Sequence, residues 1–272
     1  MRVISSGRHH ATFAFGGLRV VALRDGYIDM PPTRLRAEDG RAFGELPAAV
    51  PLAGGNLRLS VNAFLVTDGV RSVLIDTGGS DVWPEPTMGL IYEALDEAGV
   101  DRARITDVAV THRHEDHVSG LIAPDGAEAF SGLERVWIGA GDASVFTGRL
   151  APLRDRVVPV SEEVAINDWI TAVPTPGHTP GHTVYDVRSD GGRLLVWGDT
   201  VHVPTLQFDR PNVTWEYDGD RSRARDARTA LLRQLTAPDC FVAGAHLDAP
   251  GLARVTPSGD GYALEYLAPP IG

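Results

Sequence analysis

The stretch Val108-Ala109-Val110-Thr111-His112-Arg113-His114-Glu115-Asp116-His117 decides the reading of this chain. Its opening residues are apolar and β-branched, the composition of a buried strand. Whatever follows such a strand emerges at its carboxyl end, where α/β sheets place their sites. Here the chain delivers His112, His114, Asp116 and His117 within six positions. Two histidines one residue apart project to the same side of an extended segment, so both imidazoles can reach one ion while Asp116 and His117 turn toward a neighbouring ion. Crowding four ionisable groups into one short turn is costly unless a metal holds them.

Such a site needs ligands from elsewhere, and three candidates also follow strand-like runs. His178 lies in Thr175-Pro176-Gly177-His178-Thr179-Pro180-Gly181-His182, a Gly and Pro turn that aims an imidazole rigidly. Asp199 follows the run Leu194 to Trp197, and His246 follows Phe241 to Ala245. His182 begins the next strand and reads as structural. Asp76, in Leu74-Ile75-Asp76-Thr77-Gly78, reads as a carboxylate that orients a metal-bound imidazole. His9 and His10, near the terminus, are expected to be solvated.

Outward from these residues, strands are expected at Leu18 to Leu23, Asn62 to Thr67, Val70 to Ile75 and Val108 to Val110. In the second half they are expected at Arg135 to Ile138, Thr183 to Val187, Leu194 to Trp197 and Phe241 to Ala243. Helices are expected from Leu90 to Ala98, with Gly99 as its cap, and from about Ser222 to Leu235. Each half carries a strand that ends in an Asp-bearing turn, at Asp76 and at Asp199, which suggests two βα halves facing each other. One domain over 1–272 is expected, since α/β folds with a buried sheet reach this length. Within it 30–56, rich in Pro, Gly and Arg, reads as an extended connection or a loop covering the site. The stretch Ser80 to Met88, with Trp83, is a second candidate pocket wall.

An apolar fraction of 43% against 22% charged residues gives ample core material and argues against disorder. The formal net charge of −11 opposes a phosphate backbone, so no nucleic-acid partner is expected. The arginines from Arg221 to Arg228 have helical spacing and read as a solvated face. The single Cys240 rules out an internal disulfide and a cysteine metal cluster. The start Met1-Arg2-Val3-Ile4-Ser5-Ser6 lacks the apolar core of a secretory signal, and no run reaches membrane-span length. A cytoplasmic location with no membrane partner is therefore expected.

The run His112-x-His114-x-Asp116-His117, followed in order by His178, Asp199 and His246, resembles the metallo-β-lactamase superfamily over nearly the whole chain. That resemblance implies an α/β (α+β) fold, an αββα sandwich of two mixed β-sheets flanked by helices, with a dinuclear site at one edge. It implies that His112, His114 and His178 hold one divalent metal, that Asp116, His117 and His246 hold the other, and that Asp199 bridges them. Zinc suits these donors, as do cobalt, manganese and iron.

Branches of the superfamily differ at these positions. Zinc β-lactamases have a Cys, or lack the bridging carboxylate, where this chain has Asp199. Flavodiiron proteins replace the second histidine with Glu. Transfer-RNA processing members need an RNA-holding arm, and glyoxalase II enzymes carry a helical C-terminal region, whereas Arg254 to Leu267 reads as a hairpin. What remains is similar to the N-acyl homoserine lactonases and the methyl parathion hydrolase group. The segment Gly198-Asp199-Thr200-Val201-His202-Val203, with Gln207-Phe208-Asp209, is closest to the latter. Many homoserine lactonases have a Tyr three residues after the bridging Asp, where this chain has His202.

The implied activity is hydrolysis of acyl lactones or esters by a metal-bridging hydroxide, with organophosphate triesters as the alternative substrates. Asp116 would pass a proton to the leaving oxygen and His202 would position substrate. Trp83, Met88, Leu206 and Phe208 are expected to wall the pocket. A small molecule is then the partner, and a homodimer is compatible with the reading. A metal-binding sensor or scaffold of the same fold is the remaining class.

Overall fold

The computed structural model describes residues 1–83 and 86–271. Alternation within its strands sends successive side chains to opposite faces, and the core divides accordingly. In the strand Leu18–Met30, Val20 and Ala22 enter one apolar cluster while Val21 and Leu23 enter another. Ala109 parts in the same way from Val108 and Val110.

The first sheet has eight strands arranged in chain order: Arg2–Ser6, His10–Phe15, Leu18–Met30, Leu57–Thr67, Ser72–Ile75, Asp107–Val110, Arg135–Gly139 and Val157–Val160. Its last four strands run parallel and the others antiparallel, so the sheet is mixed. The second sheet has seven strands: Val164–Ala165, Ile170–Pro174, Thr183–Ser189, Gly192–Val196, Cys240–Ala243, Leu252–Ser258 and Gly261–Tyr266. It too is mixed, because Gly192–Val196 and Cys240–Ala243 pair in parallel.

One apolar cluster fills the space between the sheets, with Phe13, Phe64 and Trp137 from one meeting Tyr185, Val196 and Phe241 from the other. On the outer face of the first sheet lies the helix Ile91–Glu97, through Ile91, Ala94 and Leu95. On the outer face of the second lies the helix Arg221–Gln234, through Leu231 and Leu232. The layers are therefore helix, sheet, sheet, helix, the αββα order expected.

Several boundaries differ for local physical reasons. The first strand expected at Leu18 to Leu23 continues to Met30 through a bulge at Arg24 and Gly26. There the buried Asp25 carboxylate accepts from the backbone N–H groups of Gly79 and Ile91. The strand expected from Val70 begins at Ser72, because Asp68 accepts from Val70 N and Arg71 N and makes a turn that leaves Val70 exposed. The tail forms the expected hairpin.

Segment 30–56 includes the short strand Leu35–Arg36, which pairs with Thr214–Trp215. Leu35 and Val50 pack with Leu57, Leu206 and Trp215 in a satellite apolar cluster. His9 and His10 are buried rather than solvated, beside Glu93 and Glu97, because the strand His10–Phe15 tucks under the helix that carries those glutamates. On the arginine face the correction is Arg228. It falls on the inward stripe with Ala224, Leu231 and Leu232 and is buried. No helix among the described residues is long and apolar enough to cross a membrane.

Candidate metal centre

The ends of both sheets meet at one edge, and each expected ligand sits on a loop leaving a strand. After Asp107–Val110, His112 and His114 lie in extended chain, and the short helix Glu115–Val118 then carries Asp116 and His117. Asp76, held at a left-handed φ of 59°, accepts from Thr111 N at 2.7 Å, Thr111 Oγ1 at 2.8 Å and His117 Nδ1 at 2.8 Å. From the second sheet, His178 comes on the turn before Thr183–Ser189, Asp199 on the turn after Gly192–Val196, and His246 after Cys240–Ala243. The His178 turn is seated by a close approach: a Cβ at Gly139 would lie 1.8 Å from the Gly181 carbonyl oxygen.

The ligand atoms converge in two sets. In the first, His114 Nδ1 lies 2.9 Å from His112 Nε2 and 3.0 Å from His178 Nε2, and Asp199 Oδ2 lies 3.3 Å from His178 Nε2. In the second, His117 Nε2 lies 3.4 Å from Asp116 Oδ2 and 3.1 Å from Asp199 Oδ1, and His246 Nε2 lies 3.2 Å from Asp199 Oδ2. Four donors about 2.0–2.1 Å from a central ion stand about 3.3 Å apart along the tetrahedron's edges, and both sets approach that spacing.

The tautomers make the same point. His246 Nδ1 faces the Ser60 carbonyl at 2.7 Å, so it must donate, and Nε2 is the nitrogen left facing the Asp199 carboxylate. His117 Nδ1 faces Asp76, and His178 Nδ1 faces Asp218 at 2.8 Å, with the same result. A ring nitrogen and a carboxylate oxygen facing one another this closely need a proton or a metal ion between them, and a bound metal displaces the proton. Consistent with this, His117 Nε2 and Asp199 Oδ1 are buried without a hydrogen-bond partner. The donor set therefore fits two divalent ions, with Asp199 contributing to both.

Titration follows the same geometry. Burial, then neighbouring imidazoles, hold His112 well below its ordinary value and His114 at about 4, which keeps both in the neutral, ligating form. Burial opposes charge on His178 too, but hydrogen bonds and charge from Asp199 and Asp218 outweigh it and raise it to about 9. Asp116 and Asp199 stay ionised against the cost of burial because the surrounding imidazoles favour their charge.

A cavity of about 360 Å³ opens over the centre, bounded by ligands on one side and by Ile28, Met30, Leu59, Trp83, Trp215 and Tyr217 on the other. Asp116 and His202 both line it. His202 is stacked between Trp215 and His246, with Nε2 3.2 Å from Asp199 Oδ2, and neither ring nitrogen has a hydrogen-bond partner. Of the expected wall residues Trp83 lines this cavity. Leu206 instead packs in the satellite cluster beneath the 30–56 segment, and Phe208 packs against Trp197 in the outer core of the second sheet. Both face inward because the short helix Pro204–Gln207 buries its apolar side. Met88 lies against Gly79, away from the cavity. His182 has the structural part expected of it, accepting from Asp199 N at 3.2 Å.

Four supporting residues escaped the sequence reading. Asp218 does for His178 what Asp76 does for His117, and it also accepts from Trp215 N. Asp142 accepts from Thr179 Oγ1, Gly181 N and Arg113 N, tying the two ligand loops together. Asn62 donates toward the carbonyls of Gly244, Ala245 and Leu247, which bracket His246. Arg228 donates to the carbonyls of Thr200, Pro211 and Val213, next to Asp199 and His202. Asp218 had a visible signal, a carboxylate between aromatic residues and a glycine. The other three had none.

Comparison with known proteins places these features in a family. The chain is 31% identical over 156 residues to the beta-lactamase-like protein 2 homolog of Drosophila melanogaster, covering 56% of this chain and 49% of that one. It is 34% identical over 139 residues to a hydroxyacylglutathione hydrolase of Methylobacterium nodulans, covering 48% of this chain and 47% of that one. The chain thus spans about half the length of these curated relatives. Among solved structures, AidC, a dizinc quorum-quenching lactonase in complex with a product, superposes with a TM-score of 0.84 at 20% identity, over 95% of this chain and 97% of that one. The hydrolase AbOPH of the beta-lactamase superfamily superposes at 0.83 and 24% identity, over 97% and 99%. A family profile, the metallo-beta-lactamase superfamily, matches residues 57–246, which include every ligand of the two sets, and the chain belongs to that superfamily.

Proposed function

We propose that this chain is a dinuclear metal-dependent hydrolase acting on acyl lactones and related esters. The observation that carries the reading is the Asp199 carboxylate, 3.3 Å from His178 of one ligand set and 3.1 and 3.2 Å from His117 and His246 of the other, beneath a cavity with an apolar wall. Two bound divalent ions supply a water of lowered pKa and an electrophile for the acyl oxygen. The protein's own residues do the rest. Ile28, Met30 and Leu59 take the acyl chain and exclude water from it. Asp116, ionised and at the cavity's edge, accepts a proton at the carboxylate oxygen that does not face His117 and His246 and returns it to the leaving oxygen. His202, held through its backbone N–H by Gln207 Oε1 at 2.7 Å, presents a ring free to hydrogen-bond a substrate oxygen.

The aromatic part of the wall, Trp83, Trp215 and Tyr217, favours a second reading, aryl phosphotriesters, whose flat leaving groups stack there. Metal-loaded protein should be assayed on acyl homoserine lactones of several lengths and on an aryl phosphotriester. The lactones are expected to turn over faster, and Asp199→Ala and His114→Ala, shown to be folded, should lose at least about a thousandfold in kcat/KM, the order expected when an activated nucleophile is lost. Full activity in those variants would end the hydrolase reading. Absence of turnover by loaded wild-type protein across esters, lactones and phosphoesters would favour a sensor or scaffold.

A further inference from the structure

Beside the cavity lies a second groove of about 270 Å³, bounded by the Pro176–Pro180 turn, Asp220 and Arg223. Arg113, His114, His178 and Tyr217 line both, so the two spaces adjoin as two arms with metal ligands between them. One arm is walled by apolar side chains. The other is flanked by two guanidinium groups.

Those guanidiniums are not used up inside the protein. Arg113 has Asp142 as its nearest carboxylate, with Nε 3.8 Å from Oδ1. That carboxylate is already engaged by Thr179 Oγ1 at 2.5 Å, Gly181 N at 3.1 Å and Arg113's own N–H at 3.2 Å. Arg223 Nε stands 3.7 Å from Asp220 Oδ2, while Asp220 caps the helix by accepting from Arg223 N at 3.0 Å. Neither guanidinium makes a hydrogen bond to protein among the described residues, and both are open to solvent, at 44% and 68% side-chain exposure. In a chain of net charge −11, two arginines with free donor forks at the mouth of a reactive centre call for an anionic ligand. A planar fork of N–H donors matches a carboxylate in both charge and shape.

We infer that this groove is a subsite for a carboxylate on the leaving-group side of the substrate, so that among the related esters one whose alcohol portion carries a remote carboxylate is favoured over its uncharged counterpart. The inference rests on the hydrolase reading. The acyl arm occupies the apolar branch, so the alcohol arm leaves across His114 and His178 into the groove. There Arg113 and Arg223 bind its carboxylate, and Tyr217 separates the branches. The carboxylate on the leaving group is held there before the ester is cleaved, and the freed alcohol departs on that side.

The test compares 4-butyryloxybenzoate with 4-butyryloxybenzamide, which share a scissile ester and differ in the remote charge. Arg223→Gln is the lead variant, being an exposed side chain on the first helix turn and not itself a ligand, with Arg113→Gln as the second and metal content measured for each. Wild-type protein should prefer the benzoate, the preference should fall about tenfold or more in either variant, and added salt should weaken it. A preference unchanged in both variants overturns the inference. Titration of loaded protein with 4-hydroxybenzoate decides the matter without turnover. Weaker binding in Arg223→Gln supports the subsite, and equal binding, as for a ligand held by the metals alone, overturns it. If wild-type protein cleaves neither ester, the hydrolase reading fails while the titration still judges the groove.

Discussion

At the scale of single residues, the centre depends on groups that never touch an ion. Asn62 is the clearest case, since one buried amide meets three carbonyls of the loop that carries His246, and Ser60, two residues earlier on the same strand, fixes that imidazole's tautomer. Asn62→Leu keeps the volume but removes the donor. It should cost about 2–3 kcal/mol in denaturant unfolding, because buried carbonyls lose their partner. It should also weaken metal binding by about 10- to 100-fold at the Asp116, His117 and His246 position while sparing the other, as loss of an outer support does elsewhere. Chelator competition with metal counted per chain reads this, and unchanged affinities would reduce Asn62 to a folding role. Of the site, the ligands were legible because few residue types bind metal and four of them crowd one turn. Asn62, Asp142 and Arg228 were not, because an amide, a carboxylate or a guanidinium acquires such a part only from partners far away in sequence. Leu206 and Phe208 show the converse: beside a site, an apolar residue of the wall and one of the core look alike.

At the scale of elements, strands that alternate cleanly were readable, and the misreadings fall where a side chain overrides the local pattern. Arg24-Asp25-Gly26 has the look of a turn, yet the strand runs through it because Asp25 is turned inward to hold the Gly79 loop and the start of the helix Ile91–Glu97. Burial is the leading cause that lifts Asp25 to about 6 from an ordinary 3.8, against the backbone N–H groups that favour its charge. With the folded value above the unfolded one, the protonated acid is the favoured form in the folded protein. Its stabilising effect is whole below about pH 3.8 and is lost as pH rises toward 6. Between pH 5 and pH 7.5 this one group should cost about 1–1.5 kcal/mol. Urea unfolding of wild-type and Asp25→Asn proteins at both values should show that much less pH dependence in the variant, and parallel curves would refute the assignment.

At the scale of the molecule, each ion would draw ligands from both sheets, so metal binding is coupled to the packing of one half on the other. Stripping the metals should lower the melting temperature by about 10 °C, the shift expected when an occupied high-affinity site contributes about 4 kcal/mol to a chain of this size. Scanning calorimetry before chelation, after it and after zinc is restored would measure this. An unchanged melting point in fully stripped protein would mean that the halves hold together without the ions. The layered architecture was legible through the resemblance that the ligand run carries, while the two strands ending in Asp-bearing turns pointed only to two βα halves facing each other. The register of the two adjoining arms was not, since it depends on where loops from separate halves come to rest.

The order of the ligands along the chain also bears on how the protein is made. A nascent chain that has reached Val160 holds every strand of the first sheet, together with His112, His114, Asp116 and His117, but none of His178, Asp199 and His246. Until His246 has left the ribosome the second ligand set lacks its last imidazole, so filling of that set would come late. In the interval the four early ligands would be present without the three residues that complete both sets.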